Sequence, residues 1–168
     1  MIKALKAIAI LSFFSLLLIS CGGKEEKKKE SITIQNKTET KTVVDKAENL
    51  PASKKVDLAN KGIGPITSVT LSPEIDQAMV SHGAEVYKKM CTACHRPDKK
   101  FIGPAPSGIL ERRSPEWIMN MILNPEEMVQ KDPLAKELLI EFNGSPMANQ
   151  NLTEEEARAV LEYFRTLK

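Results

Sequence analysis

Aromatic side chains are scarce in this 168-residue chain, at 5% of the total, and none falls between Phe14 and Tyr87. A stretch of that length without Phe, Tyr or Trp, rich in Lys, Glu, Thr and Ser, lacks the apolar surface that offsets the entropy of ordering a chain. The packed core is therefore expected in the last ~95 residues, a size at which a buried cofactor adds needed stability. Charge of one sign is also missing: 24 basic groups face 22 acidic ones, for a net +2, which gives no electrostatic footprint of a nucleic-acid-binding protein. No apolar run reaches spanning length. Ala7–Ile19, broken only by Ser12 and Ser15, covers about 20 Å as a helix against the ~30 Å of a bilayer core. At roughly 100–200 residues per domain, one domain with appendages fits and a large multidomain enzyme does not.

The charge that is present is segregated. Residues 1–21 carry +2, residues 22–71 carry +3, and residues 72–168 carry −3. Lys3 and Lys6 precede the apolar run as a short positive region, the order of an export signal. The run ends Leu18-Ile19-Ser20-Cys21-Gly22, which resembles a bacterial lipoprotein signal. That resemblance implies a signal peptide over 1–20, removal before Cys21, lipid on Cys21, and a protein anchored to a membrane with its folded part in the periplasm. The Lys24–Glu30 charge run is a weak match to export signals of surface lipoproteins, so the cell surface is the alternative location. Residues 21–71 then read as a flexible charged tether, with an r.m.s. reach of roughly 40 Å, and residues 72–168 as the folded domain.

Of the three cysteines, two lie in Cys91-Thr-Ala-Cys94-His95. C-x-x-C-H is the spacing of covalent haem attachment: two thiols one helical turn apart add to the two vinyl groups, and the next residue offers an imidazole to the iron. A structural zinc site needs four ligands, and His82 supplies only one more. A thioredoxin-like site needs a βαβ pattern, which is absent, and a disulfide leaves His95 unexplained.

Helix signals surround the motif. Ser72-Pro73 opens a first helix as cap and first residue, with Ile75, Met79, Val80, Gly83, Val86, Tyr87 and Met90 at helical spacing. Ser114-Pro115 opens a middle helix that ends at Asn124-Pro125, and another runs from about Pro133 to Phe142. Thr153 and Glu156 form a capping box ahead of an apolar stripe of Ala157, Val160, Leu161 and Phe164.

Across about residues 74–168 the chain resembles a class I cytochrome c. The resemblance implies an all-α fold of four to five helices around one covalently attached haem c, with the first and last helices crossing. Gly83, Tyr87 and Cys91 match the family spacing on the first helix, and Val160 and Tyr163 match the residues that cross it. Pro104 matches the proline whose carbonyl holds the ligand histidine. For the sixth iron position the chain offers Met79, Met90, Met119, Met121, Met128, Met147 and His82. The resemblance implies Met147, beside Pro146 in a loop before the last helix, with Met121 or Met128, or an open or His-ligated iron, as alternatives. Trp117 is placed either against the haem or in the plain core, and His82 has no assigned role.

A His95/Met147 iron has no vacant position, so the resemblance implies an electron carrier and not an enzyme. The expected role is a membrane-tethered monohaem shuttle in a respiratory chain. The donor would be a quinol-oxidising complex or another cytochrome, and the acceptor a terminal oxidase or periplasmic reductase. A fixed haem subunit of a respiratory complex, and a haem sensor or peroxidase with an open sixth site, are the competing functions. Lys88, Lys89, Arg96, Lys99, Lys100, Arg112 and Arg113 form a basic surround that would steer toward acidic partners.

Overall fold

The computed structural model describes residues 50–168. The expected signal peptide, Cys21 and the tether as far as residue 49 lie outside the described residues. Five α-helices follow in order: α1 Gln77–Met90, α2 Pro115–Leu123, α3 Pro125–Lys131, α4 Pro133–Glu141 and α5 Glu154–Phe164, with 3-10 turns at Ala52–Lys54 and Ile109–Glu111. Among the described residues there is no β-strand, only an isolated bridge between Asp57 and Arg113. The expected all-α class holds.

Helix α1 starts later than Ser72-Pro73 suggests. Its cap is Asp76, whose carboxylate accepts from the amides of Ala78 and Met79 at 2.9 and 3.0 Å. The carbonyls of Ser72, Pro73 and Glu74 are taken instead by the Arg165 guanidinium of the chain's last turn, at 2.6, 3.4 and 3.3 Å. A long-range contact thus overrides a good local cap. Elsewhere the local signals prevail: Ser114 caps α2 through the Trp117 amide, and Thr153 and Glu156 close the expected box on α5. Helix α3 was not expected. Pro125 ends α2 and also serves as the first residue of this short helix, a position where its missing N–H does no harm.

The first and last helices cross at Gly83. A β-carbon built there would lie 1.9 Å from the Ala159 carbonyl oxygen and 2.9 Å from the Val160 nitrogen. Tyr87, one turn on, packs against Tyr163 and Phe164 with ring centroids 5.4 and 5.7 Å apart. Its hydroxyl is buried and has no partner among the described residues. Burial, chiefly, pushes its pKa up to about 12.

Glu162 of α5 is 1% exposed and receives Arg158 and Arg165, each at 2.6 Å, and the Asp76 amide at 3.1 Å. Burial pushes its carboxyl upward. The hydrogen bonds from Arg158 and Asp76, with the two guanidinium charges, outweigh burial and leave the pKa below the ordinary glutamate value. One carboxylate thereby ties the start of α1 to the C-terminal half of α5.

The expected domain start at residue 72 needs correction, because residues 51–71 lie on the helical domain as a strap. Ala52 and Ile66 are buried. Arg113, 3% exposed, donates to the Ala52 and Lys55 carbonyls. Ser114 Oγ donates to the Asn60 carbonyl at 2.6 Å. Asn120, 1% exposed, donates to the carbonyls of Lys61 and Ile66 and accepts from the Ile66 amide, all at 2.9 Å. The strap lacks aromatic anchors, as its composition says. It is held because polar side chains of the domain satisfy its backbone.

Two outcomes follow from these contacts. Gly83→Ala drives a β-carbon into backbone on the facing helix, where no rotamer change gives relief. Overpacking of about 1–3 kcal/mol opposes a helix-propensity gain of about 1 kcal/mol. With backbone on both sides the penalty falls at the top of that range, so a net loss of about 2 kcal/mol and a Tm lower by on the order of 10 °C are expected. An unchanged Tm would mean the helices separate freely.

Glu162→Gln tests the carboxylate. Because its folded pKa is depressed, Glu162 contributes stability above the unfolded value of about 4.3 and loses it as pH falls through the folded value. The variant should be less stable at neutral pH by roughly 2–3 kcal/mol. This is under the full buried-pair figure because Arg158 and Arg165 keep 23% and 13% exposure. Its unfolding free energy should also depend less on pH below about 4. Parallel pH profiles would assign the acid sensitivity to other groups.

Candidate haem site

The C-terminal end of α1 fixes the Cys-x-x-Cys-His segment before any ligand is considered. The Cys91 amide donates to Tyr87 O at 2.9 Å, and the amides of Cys94 and His95 return to Cys91 O at 3.1 and 2.9 Å. The helix thus tightens into one more turn that sets both sulfurs and the imidazole on one wall. Gly103 N donates to Cys94 O at 2.9 Å, which brings the Gly103-Pro104 backbone over His95. There the His95 Nδ1–Pro104 O distance is 2.8 Å. A β-carbon on Gly103 would meet His95 Cε1 at 2.5 Å. Only glycine lets this loop lie so close to the ring.

These groups line a cavity of about 220 Å³, more than ten times the ~15 Å³ that admits one water. Cys91, Cys94, His95, Gly103 and Pro104 form one side. Ile109 of the second 3-10 turn, Ile118, Met121 and Ile122 of α2, Val129 of α3, Leu138 of α4, and Phe142 and Met147 after it supply most of the rest. Its lining is predominantly apolar. All five residues expected at the site are therefore brought together.

The donor set suits covalent haem better than a metal bound by thiolates. Among the described residues no cluster of three or more His, Cys, Asp or Glu is placed to hold an ion. Cys91 and Cys94 are free thiols. Burial, then the neighbouring Cys94, pushes the Cys91 thiol up to about 11. That environment disfavours a thiolate and suits the neutral thioether that attachment produces. With Nδ1 donating to Pro104, Nε2 is the ring nitrogen left for a metal, and the carbonyl contact fixes the tautomer and raises ligand basicity.

The other candidates divide cleanly. Met79, Met119, Met128 and His82 do not line this cavity, whereas Met90, Met121 and Met147 do. Met119 is core at 3% exposure, and Met128, fully buried, accepts the Ile63 amide on its sulfur at 3.0 Å. Met90 lies beside Cys91 on the His95 wall. His82 faces a separate recess with Glu85 and Glu156. Trp117, 3% exposed, lines the cavity with its ring while Nε1 donates to Asp132 at 3.2 Å.

Sequence reasoning missed Ser53, a strap residue that also lines the cavity, and it placed Arg113 on the surface. Neither carries a local signal, because both positions result from strap docking. Lys88, Lys89, Lys99 and Lys100 are exposed. Arg96 stacks on Phe101 at 4.3 Å and Lys100 on Phe142 at 4.5 Å.

Gly103→Ala tests the His95 wall. The added methyl should push the imidazole from the Pro104 carbonyl, lowering stability by about 1–3 kcal/mol, and Tm with it, and shifting the reduction potential of the haem-loaded protein. A variant with wild-type Tm and potential would show that the loop yields without moving the ring.

The comparisons agree with this geometry. A family model described as cytochrome c matches residues 80–168. Among solved structures, cytochrome c from Rhodothermus marinus is 43% identical with a TM-score of 0.59, covering 68% of this chain and 91% of that one. An engineered cytochrome c from Rhodothermus marinus, Rma TDE, is 42% identical with a TM-score of 0.59, covering 68% of this chain and 92% of that one. The same engineered protein bound to a carbene intermediate gives 43% identity and a TM-score of 0.57, with 68% and 92% coverage. A comparison with curated proteins found no match. With its attachment motif at the mouth of an apolar slot and a fixed imidazole beside it, the chain belongs to the cytochrome c family and takes a covalently bound haem c.

Proposed function

We propose that the protein is a membrane-tethered monohaem electron shuttle of a respiratory chain, with iron held by His95 and Met147. One observation carries the reading. His95 uses Nδ1 on the Pro104 carbonyl, which leaves Nε2 for the cavity that His95 and Met147 both line. When bound, haem supplies reversible one-electron chemistry at its iron. The chain's own residues then act around it. Cys91 and Cys94 hold the group by its edge. The Pro104 carbonyl keeps His95 in one tautomer and orientation. Ile118, Ile122 and Leu138 exclude water, and the neutral Met147 sulfur favours the reduced state. With His95 and Met147 holding the iron, no position would be left open and electron exchange would need little rearrangement.

Partner contact is assigned to the cavity mouth. Cys94 and Ile102 are exposed there, the latter at 46%, with Phe101, Lys99 and Lys100 exposed beside them in sequence. An apolar centre flanked by cations supports donors and acceptors that carry acidic docking surfaces, with association that weakens as salt rises. Anchoring rests on the Leu18–Cys21 signal.

Absorption spectra of the haem-loaded protein test the iron reading. The oxidised form should show a sulfur-to-iron charge-transfer band that Met147→Ala removes or weakens, and the reduced form should ignore carbon monoxide. A large carbon monoxide shift in the wild type would favour the sensor or peroxidase. Membrane fractionation tests the anchor: Cys21→Ser should release the cytochrome to the soluble fraction, and retention would point to a protein partner as the anchor.

A further inference from the structure

Besides Met147, and Met90 next to Cys91, the cavity contains a thioether on the α2 side, Met121, which the proposed function leaves without a task. Helix α2 turns Trp117, Ile118, Met121 and Ile122 to the cavity. Met121 keeps partial exposure there, while Met119, two residues earlier, is buried in the core. Met121 therefore ends in the space that the haem takes, on a helix fixed at both ends. Its cap Ser114 holds the Trp117 amide at 3.1 Å, and the Asn124 amide closes on Asn120 O at 2.8 Å. A methionine has three rotatable bonds and a soft, polarisable sulfur, so it adapts its reach within such a space.

Met147 stands on very different support. Its loop, residues 143–152, is exposed apart from Met147, Gln150 and Leu152. Asn143 and Asn151 are non-glycine residues at φ of 60° and 54°. The hydrogen bonds of the loop after Gly144 are local: Ser145 N to Phe142 O, Gln150 Nε2 to Ala148 O, and Asn151 N to Asn149 Oδ1. Among the described residues, none ties residues 146–152 to another element. A segment held this way opens at a lower free energy than the domain unfolds. Across the cavity, His95 is held by the turn of α1 and by Pro104, so opening starts on the Met147 side.

We propose that Met121 is a reserve axial ligand. When the 143–152 loop opens and the iron–sulfur bond to Met147 breaks, a bond to the Met121 sulfur forms in its place. Both ligands are neutral thioethers, so no proton or electron moves in the exchange. The haem keeps a thioether partner during loop opening, and small external ligands compete with Met121 for the vacated position. This rests on the proposed His95/Met147 ligation.

The test uses the haem-loaded protein, in which two covalent links retain the haem whatever its sixth ligand. Met121→Leu, close in volume, should keep the wild-type sulfur-to-iron band. Met147→Ala should retain a weaker thioether band, and the double variant should have none and become high-spin. A Met147→Ala protein without any thioether band overturns the proposal and leaves Met147 ligation standing. Loss of the band in Met121→Leu alone makes Met121 the resident ligand and overturns both readings. A wild type without the band removes Met147 ligation and the proposal with it. A second measurement leaves the loop untouched. Cyanide binding to the oxidised protein should be several-fold faster in Met121→Leu than in wild type, and equal rates overturn the proposal.

Discussion

The Ala159 carbonyl oxygen occupies the place where any residue but glycine would put a β-carbon at position 83. Everything at the haem site depends on that close approach. It lets α1 and α5 cross backbone to backbone, which seats Tyr87 between Tyr163 and Phe164. It also fixes where α1 ends, and therefore where Cys91, Cys94 and His95 project. Glu162 reinforces the crossing at its edge by joining the Asp76 amide to two arginines of the last helix. The attachment motif is thus supported by the helix crossing behind it, where Tyr87 and Phe164 also reach the cavity wall.

Much of this was legible in the chain itself. Three signals were local and carried their own mechanism: the C-x-x-C-H spacing, the Ser114-Pro115 helix start, and the Thr153–Glu156 capping box. Gly83 was legible because a glycine inside a strong helix needs a packing reason. The misreadings share one cause, which is capture of backbone by a distant side chain. Ser72-Pro73 looked like a helix start until Arg165 took its carbonyls. Residues 51–71 looked unfoldable by composition, yet Arg113, Ser114 and Asn120 hold them. Such contacts link positions dozens of residues apart and leave no periodicity behind.

The two walls of the cavity are built on opposite terms. On the His95 side, short-range main-chain bonds and a glycine leave the ring one position. On the Met147 side stand a loop whose hydrogen bonds among the described residues are local and, on α2, Met121, both lining the cavity. Under the proposed ligation, one wall would set the haem's orientation and the other how readily its iron is uncovered. In a carrier the first needs to be invariant, whereas the second is where a change of sequence can alter ligand access without disturbing the fold.

The strap is bound mainly through its own main chain. Arg113 and Asn120 read carbonyls and amides of residues 52–66, not side chains, and Val56 and Leu58 project outward at 65% and 55% exposure. A segment recognised by its backbone is nearly silent about its own composition. Ala52 and Ile66 are buried, β-carbons at Gly62 and Gly64 would strike Met128 and Asn120, and the side chains of Ser53, Lys55 and Asn60 bond Glu141, Glu137 and Asp132, so only outward positions such as Val56 and Leu58 are free to drift. The strap can therefore keep its place while its outward positions are rewritten, so that much of its spelling reveals little of its location.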